Sequence, residues 1–244
     1  MLNIIFEDGD LLVVNKPAGL VCHPTKDGEL SSLVGRVRLY LGGDGHLVNR
    51  LDRETSGVTV VAKNSAVAGE LGKLWENRAV RKEYLAIVHG TVEAESATIE
   101  LPLGKDEKSL VAIKDCVRPD GAPASTEYSV VRRFRRRGRS FTLMRLRSQT
   151  GRKHQLRIHL AAIGHPIVGD KLYGGDEDLY LGFVQSRLTT AQWEELLLDN
   201  QALHAGRLSF FWRGTERIFE AAPDRKFEEF ANEGIGVGGL RTAD

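Results

Sequence analysis

Short apolar runs alternate with polar turns along most of the chain. Residues 4–7 (IIFE) and 11–15 (LLVVN) read as two short strands around Asp8-Gly9-Asp10. Lys16-Pro17-Ala18-Gly19 breaks that run, because proline offers a central ladder no N–H. Over residues 31–41, Leu33, Val34, Val37 and Leu41 share one helical face, and Gly42-Gly43-Asp44-Gly45 ends the helix. Residues 58–63 (VTVVAK) predict a strand directly after Thr55-Ser56-Gly57. Val67, Leu71, Leu74 and Trp75 stand at i, i+4, i+7 and i+8, predicting a helix over 65–78.

A strand at Lys82–His89 and a shorter one near 97–101 follow, then a long Gly- and Pro-containing connection over 105–123. Residues 125–136 and 140–147 predict a hairpin through Arg137-Gly138-Arg139. In its second strand Phe141, Leu143, Arg145 and Arg147 share one face, and Thr142, Met144 and Leu146 the other. Residues 152–163 predict a helix stopped by Gly164, with Pro166 beyond it. A helix near 190–198, strands near 203–212 and 216–221, and a helix at 224–233 complete the pattern. Strands outnumber helices and mostly follow one another directly, which favours an α+β domain over residues 1–233 with a large mixed, mainly antiparallel sheet. The segment 234–244, GIGVGGLRTAD, is expected to be a mobile tail. Its glycines lack the strand–turn–helix context of a dinucleotide fingerprint.

Composition narrows the class. The chain has 244 residues, 41% hydrophobic and 27% charged, as in ordinary soluble globular domains. No apolar run approaches the roughly 18 residues of a membrane span. The opening MLNIIFEDGD has no basic region of the kind a signal peptide carries, so a cytoplasmic location is expected. Cys22 and Cys116 are the only cysteines, which excludes a disulfide scaffold and a four-cysteine zinc site.

The net charge of +1 conceals an asymmetry. Of the 34 Lys and Arg, 11 lie between Tyr128 and Gly169, where there is no Asp or Glu, leaving 23 against 33 acidic residues elsewhere. Such a block reads either as a footprint for a polyanion or as a solvated strand face.

Three polar segments could carry chemistry. In Asn49-Arg50-Leu51-Asp52-Arg53-Glu54-Thr55-Ser56-Gly57, a carboxylate stands between two arginines. Flanking positive charge favours its ionised form, which can serve as nucleophile or base; the alternative is a turn aspartate beside solvated arginines. In Thr150-Gly151-Arg152-Lys153-His154-Gln155-Leu156-Arg157-Ile158-His159, a helix would put Lys153, Arg157 and Ala161 on one face and His154 with Ile158 on another. His154 and His159 have the wrong spacing for a metal pair on one helix face, and no metal site is expected. Tyr84, in Arg81-Lys82-Glu83-Tyr84, is either a core tyrosine or a stacking surface for a base.

These segments, in this order, resemble the motifs of the RluA-type pseudouridine synthases. NRLDRETSG is similar to the family's H-R-L-D-x-x-T-S-G. RKEY resembles its Lys-x-Tyr motif, TGRKHQLRIHLAAIGHPIVGDKLYG its third motif, and LLVVNKPAGLVCHP its N-terminal Lys-Pro-x-Gly segment. The resemblance covers about residues 5–220 and implies an α+β catalytic domain with a central RNA-binding cleft. No S4-type domain is read ahead of the first strand.

The implied reaction detaches uracil from C1′ of a uridine in RNA, rotates it and reattaches it through C5, with no cofactor or metal. By resemblance, Asp52 is the catalytic aspartate, Arg157 pairs with it, and Tyr84 stacks on the target uracil. Arg50 enters the RNA stack when the nucleotide flips out. Arg53, Arg152, Lys153 and His154 would contact RNA, and Ile158 would line the base pocket. The expected partner is structured ribosomal or transfer RNA, bound by a monomer. One departure stands out: the family's His is Asn49 here. It leaves open a second reading, an RNA-binding protein on the same fold without catalysis. A metal-dependent nuclease would need more acidic ligands than Glu54 beside Asp52.

Overall fold

The structure, a computed structural model, describes residues 2–24, 28–232 and 235–236. In chain order the elements are β1 (Ile4–Glu7), β2 (Leu11–Lys16), α1 (Leu33–Leu41), β3 (His46–Leu47), β4 (Ser56–Ala62), α2 (Ser65–Glu76), β5 (Val80–His89), β6 (Ser96–Glu100), β7 (Leu103–Lys105), β8 (Asp115–Val117), β9 (Ser125–Arg136), β10 (Arg139–Ser148), α3 (Gln155–Ala162), α4 (Asp178–Val184), α5 (Thr190–Leu196), β11 (Leu203–Trp212), β12 (Thr215–Glu220), α6 (Arg225–Asn232) and β13 (Ile235–Gly236). The α+β class with mainly antiparallel strands is as expected. The residues group into two compact units, Met1–Tyr84 with Leu203–Asp224, and Leu85–Ala202 with Arg225–Asp244. The chain changes unit inside β5 and at the edges of β11 and α6, where no Pro- or Ser-rich stretch marks a boundary.

In the first unit β2 pairs antiparallel with both β1 and β4. β11 lies parallel to β4 and antiparallel to β12. The run Leu11-Leu12-Val13-Val14 is apolar throughout because β2 is covered on both faces. Leu11 and Val13 join Val58, Val60, Val67, Leu71 and Phe210 in one cluster. Leu12 and Val14 point the other way, to Leu33 and Val37 of α1 and to Val61. Burying each such side chain contributes about 1.5–3 kcal/mol. Both helices are capped by short polar side chains: Ser32 Oγ accepts from Gly35 N at 3.1 Å, and Asn64 Oδ1 from Val67 N at 2.9 Å.

In the second unit β9 and β10 form the predicted hairpin, with Phe134 opposite Phe141 and Arg136 opposite Arg139. A register shift between Leu143 and Met144 leaves Val131 of β9 with no opposite residue, a bulge in β9; β10 itself keeps Thr142, Met144 and Leu146 buried on one face and Arg145 and Arg147 exposed on the other. Phe230 of α6 packs edge-on against Phe141, with ring centroids 5.1 Å apart. β6 and β13 pair with β9. Apart from Ile235–Gly236, the segment expected to be a mobile tail lies outside the described residues.

Two expectations change. The connection over 105–123 contains a strand: β8 folds back onto β7, which leads into the connection, and Glu177 holds its middle by accepting from Ser109 Oγ (2.6 Å), Leu110 N (3.1 Å) and Lys114 Nζ (2.8 Å). Those donors, Lys114 first, pull the Glu177 carboxyl down to about 2. The helix expected over 152–163 begins only at Gln155, because His154 takes a left-handed conformation with φ 55°. Lys153 is therefore in a turn and shares no helix face with Arg157.

Candidate active site

The loop that carries Arg50, Asp52 and Arg53 is positioned by hydrogen bonds at both ends. On the upstream side Asn49 acts as a strand edge: its Oδ1 accepts from Val60 N at 2.8 Å and its Nδ2 donates to Val58 O at 3.1 Å. Downstream, Thr55 N donates to Asp52 O at 3.2 Å, closing a turn that enters β4. Gly57 follows with φ 120°, where a Cβ would stand 2.3 Å from Ala205 O of β11. Only glycine lets β11 approach the first residues after this loop.

Beneath the loop runs the segment from Lys16 to Cys22. Lys16 has no solvent exposure, yet its ammonium is fully used, donating to Pro17 O (3.0 Å), Leu20 O (2.8 Å) and Arg53 O (3.1 Å). Three carbonyls match the three N–H bonds an ammonium offers. Burial lowers the Lys16 pKa to about 8, against the opposing electrostatic pull of the neighbouring Cys22 and Asp52 side chains. Gly19 N donates to Arg53 O at 2.9 Å, Arg53 Nε returns a bond to Gly19 O at 3.2 Å, and Cys22 Sγ donates to Leu51 O at 3.3 Å. The backbone on either side of Asp52 is thus clamped, with a buried positive charge next to a half-buried carboxylate. Arg50 and Arg53 are exposed at the loop surface, and Tyr84 on β5 is half-buried. Lys16 and Cys22 lie in the segment that resembles the family's Lys-Pro-x-Gly motif, but the sequence assigns neither a role, because their partners at Leu51 and Arg53 are about 30 residues or more away.

The second unit holds Arg152, Lys153, His154, Arg157 and Ile158. Arg157 is 8% exposed and forks onto Asp170, Nε to Oδ2 at 2.7 Å and Nη2 to Oδ1 at 2.9 Å. Asp170 Oδ1 also accepts from Leu172 N at 2.9 Å and Tyr173 N at 3.0 Å. Burial alone would raise the Asp170 pKa; the Arg157 charge and fork with these two N–H groups outweigh it and lower it. The Arg157 guanidinium also lies over the Tyr173 ring, 5.0 Å from its centroid. Asp170 was not foreseen; the signal available was the single acidic residue ending the acid-free stretch, in Gly169-Asp170-Lys171.

The remaining candidates surround the same tyrosine. His154 Nδ1 is 3.0 Å from Tyr173 Oη, Lys153 Nζ is 2.8 Å from Asp115 Oδ1, and Arg152 Nε donates to Pro123 O at 3.2 Å. Ile158 is 4% exposed and packs with Leu103 and Ala124. Gln155 and His159, one turn apart, face β9. Gln155 Nε2 donates to Ser125 O and Thr126 Oγ1, and His159 spans Thr126 Oγ1 (2.9 Å) and Leu101 O (3.0 Å). They anchor α3, which carries Arg157. Among the described residues no group of three His, Cys, Asp or Glu side chains is arranged to hold a metal ion, and no helix is long and apolar enough to cross a membrane.

Comparison with known proteins bears directly on this arrangement. A sequence model of the RNA pseudouridylate synthase family matches residues 10–162, which include the Asp52 loop and Arg157. The chain is 34% identical over 225 residues to the uncharacterized RNA pseudouridine synthase YhcT of Bacillus subtilis, covering 90% of this chain and 67% of that one. It is 34% identical over 212 residues to ribosomal large subunit pseudouridine synthase D of Haemophilus ducreyi, covering 85% and 62%. It is 37% identical over 211 residues to the dual-specificity RNA pseudouridine synthase RluA of Vibrio parahaemolyticus, covering 86% and 77%. The chain thus spans about two thirds of the length of these relatives. Among solved structures, human RNA pseudouridylate synthase domain containing 1 superposes with a TM-score of 0.73 at 28% identity, covering 92% of this chain and 84% of that one. By its matched segment, its relatives and its fold, the chain belongs to the RNA pseudouridylate synthase family, isomerases that convert uridine to pseudouridine in RNA.

Proposed function

We propose that this chain converts specific uridines of ribosomal or transfer RNA into pseudouridine, with Asp52 as the catalytic carboxylate. The observation that carries this reading is the Lys16 clamp: a buried ammonium ties Arg53 O, the carbonyl next to Asp52, to Pro17 O and Leu20 O of its own segment and adds positive charge near the Asp52 carboxylate. A buried charge held by three carbonyls is costly unless the loop it fixes must be exact in geometry. The reaction is an isomerisation. The C1′–N1 bond breaks, a C1′–C5 bond forms, C5 gives up its proton and N1 ends protonated, so neither an oxidant nor an added group is needed.

The other roles follow from resemblance. Arg157 serves the Asp52 carboxylate, its fork already oriented by Asp170. Tyr84 stacks on the uracil, and Arg50 fills the gap left by the flipped nucleotide. Arg53, Arg152, Lys153 and His154 bind the RNA around it. Asn49 is fully engaged with β4, so the departure from the family's His is accounted for by a structural role and does not favour a silent RNA-binding protein. Ribosomal RNA as substrate draws on the relative named ribosomal large subunit pseudouridine synthase D.

The test is pseudouridine mapping in total RNA incubated with wild-type protein and with Asp52→Asn. The wild type introduces new pseudouridines. Asp52→Asn, which keeps the shape and loses the charge, introduces none while unfolding at the wild-type temperature. Turnover by the variant at the wild-type rate removes Asp52 from the mechanism.

A further inference from the structure

The basic block from Tyr128 to Gly169 divides into arginines that are used inside the protein and arginines that are not. Arg157 is bound to Asp170. Arg133 donates to Val92 O and Glu93 O and pairs with Glu95 at 2.6 Å. At the tip of the β9–β10 hairpin the pattern differs. Arg136 and Arg139 are directly opposite each other, and Arg137 occupies the turn between them with exposed Gly138. Like charges in facing positions destabilise a strand pair. Arg137 and Arg139 are exposed and make no side-chain hydrogen bond or ion pair among the described residues.

The turn residue is also an unfavourable choice for the fold. Arg137 has φ 47° and Gly138 φ 75°, the mirror-image turn whose first position favours Asn, Asp or Gly. The same Arg-Gly turn closes β11–β12, where Arg213 has φ 48°, and there the arginine has a purpose within the protein. Arg213 binds both Glu70 oxygens at 2.8 Å and Asp10 at 2.9 Å. Among the described residues Arg137 meets no such acid, so the contacts within the fold do not explain it.

A cavity of about 380 Å³ opens at this tip, lined by Arg136, Arg137, Arg139 and Lys226 with Glu194 and Glu229. Two of its cations are engaged: Arg136 donates to the Glu229 carbonyl oxygen at 3.2 Å and lies over the Phe230 ring, and Lys226 pairs with Asp199. The Glu229 carboxylate takes Arg225 at 2.5 Å, and Arg137 and Arg139 are the exposed guanidinium groups of the lining. The rings at its floor, Phe141 and Phe230, are 1% and 4% exposed, so no face is available for a base to stack on. The site offers guanidinium forks and no stacking platform, which suits phosphate groups rather than bases.

We propose that the β9–β10 tip, through Arg137 and Arg139, grips backbone phosphates of a helical segment of the substrate RNA, a contact that sets affinity and not the chemical step. The proposal rests on the RNA-modifying reading above. A helical segment fits because paired RNA hides its bases and presents phosphates and 2′-hydroxyls.

The experiment measures RNA affinity against salt for wild type, Arg137→Asn, Arg137→Asn/Arg139→Ser, and Arg207→Ala as a charge control on β11. The probe is a ribosomal RNA fragment that the wild type modifies or, if none is found, total ribosomal RNA. Arg137→Asn suits the left-handed turn and folds at least as stably as wild type. Each lost phosphate contact lowers the slope of log affinity against log salt by about 0.7–0.9. The double variant therefore shows a slope lower by about 1.4–1.8 and at least tenfold weaker binding at physiological salt, while its rate at saturating RNA is unchanged. Arg207→Ala leaves slope and affinity as they were. An unchanged slope in the double variant overturns the proposal even if pseudouridine is formed. A wild type that binds RNA steeply but modifies none overturns the activity reading and leaves this contact to be judged by its slope. A wild type that binds no RNA overturns both.

Discussion

Replacing Asp170 by Asn should destabilise this protein more than removing any surface ion pair. The Asp170 side chain is 0% exposed and that of Arg157 9% exposed, so both charges are held away from water. The carboxylate accepts four hydrogen bonds, two from the Arg157 fork and two from the backbone N–H groups of Leu172 and Tyr173. The amide removes the charge and turns an NH2 group toward a donor, leaving the guanidinium buried without its counter-charge. Breaking one side of such a pair costs about 3–5 kcal/mol. At an unfolding entropy near 2.1 cal/mol/K per residue, a chain of this length loses roughly 6–10 °C in Tm. The sign of the pH dependence follows from the lowered Asp170 pKa. The pair's contribution is fully present above the ordinary carboxyl value of 3.8 and is lost as pH falls below it, so the Tm deficit of the variant is constant from pH 5 to 8. Calorimetry on wild type, Asp170→Asn, Arg157→Met and the double variant tests this. The double variant should recover at least about 2 kcal/mol relative to the sum of the singles, since no unpaired charge remains. If Arg157 serves Asp52 as proposed, it also stays inactive. Additive losses, or a Tm within 1 °C of wild type for Asp170→Asn, would refute the reasoning.

Two further outcomes are expected. Lys16, with its pKa brought to about 8, loses its charge and one of three donors as pH rises past that value; because the unfolded chain keeps the proton longer, stability rises between about pH 8 and 10.5 while turnover falls, and a turnover that tracks stability upward removes Lys16 from loop positioning. Asn49→His keeps one of the two bonds to β4 and loses the other, costing about 0.5–1.5 kcal/mol in urea unfolding with less than about tenfold change in turnover, whereas a large gain in activity would mean the family's His does chemistry that Asn49 cannot.

How much of this could be read from the sequence depends on the range over which each feature acts. The continuous apolar run at 11–14 and the 3.6-residue pattern at 67–75 are local records of burial, and β2 and α2 lie where they predict. The start of α3 was misplaced by three residues, since helical periodicity through Arg152 and Lys153 says nothing of a left-handed His154 tied to a tyrosine 19 residues away. The site shows the same division. Asp52 between two arginines is visible in nine consecutive residues, but the reasons it is held still come from Lys16 and Cys22, about 30 residues upstream. Pairing partners such as Asp170 for Arg157 are set by tertiary placement and leave no spacing to count. The acid-free stretch was legible as a block, yet a charge count cannot separate Arg133 and Arg157, which are bonded to acids within the protein, from Arg137 and Arg139, which meet none among the described residues. What separates them is an accounting of donors: a guanidinium with its acceptors inside the protein stabilises the fold, and one placed in a costly turn without them is placed for something outside it.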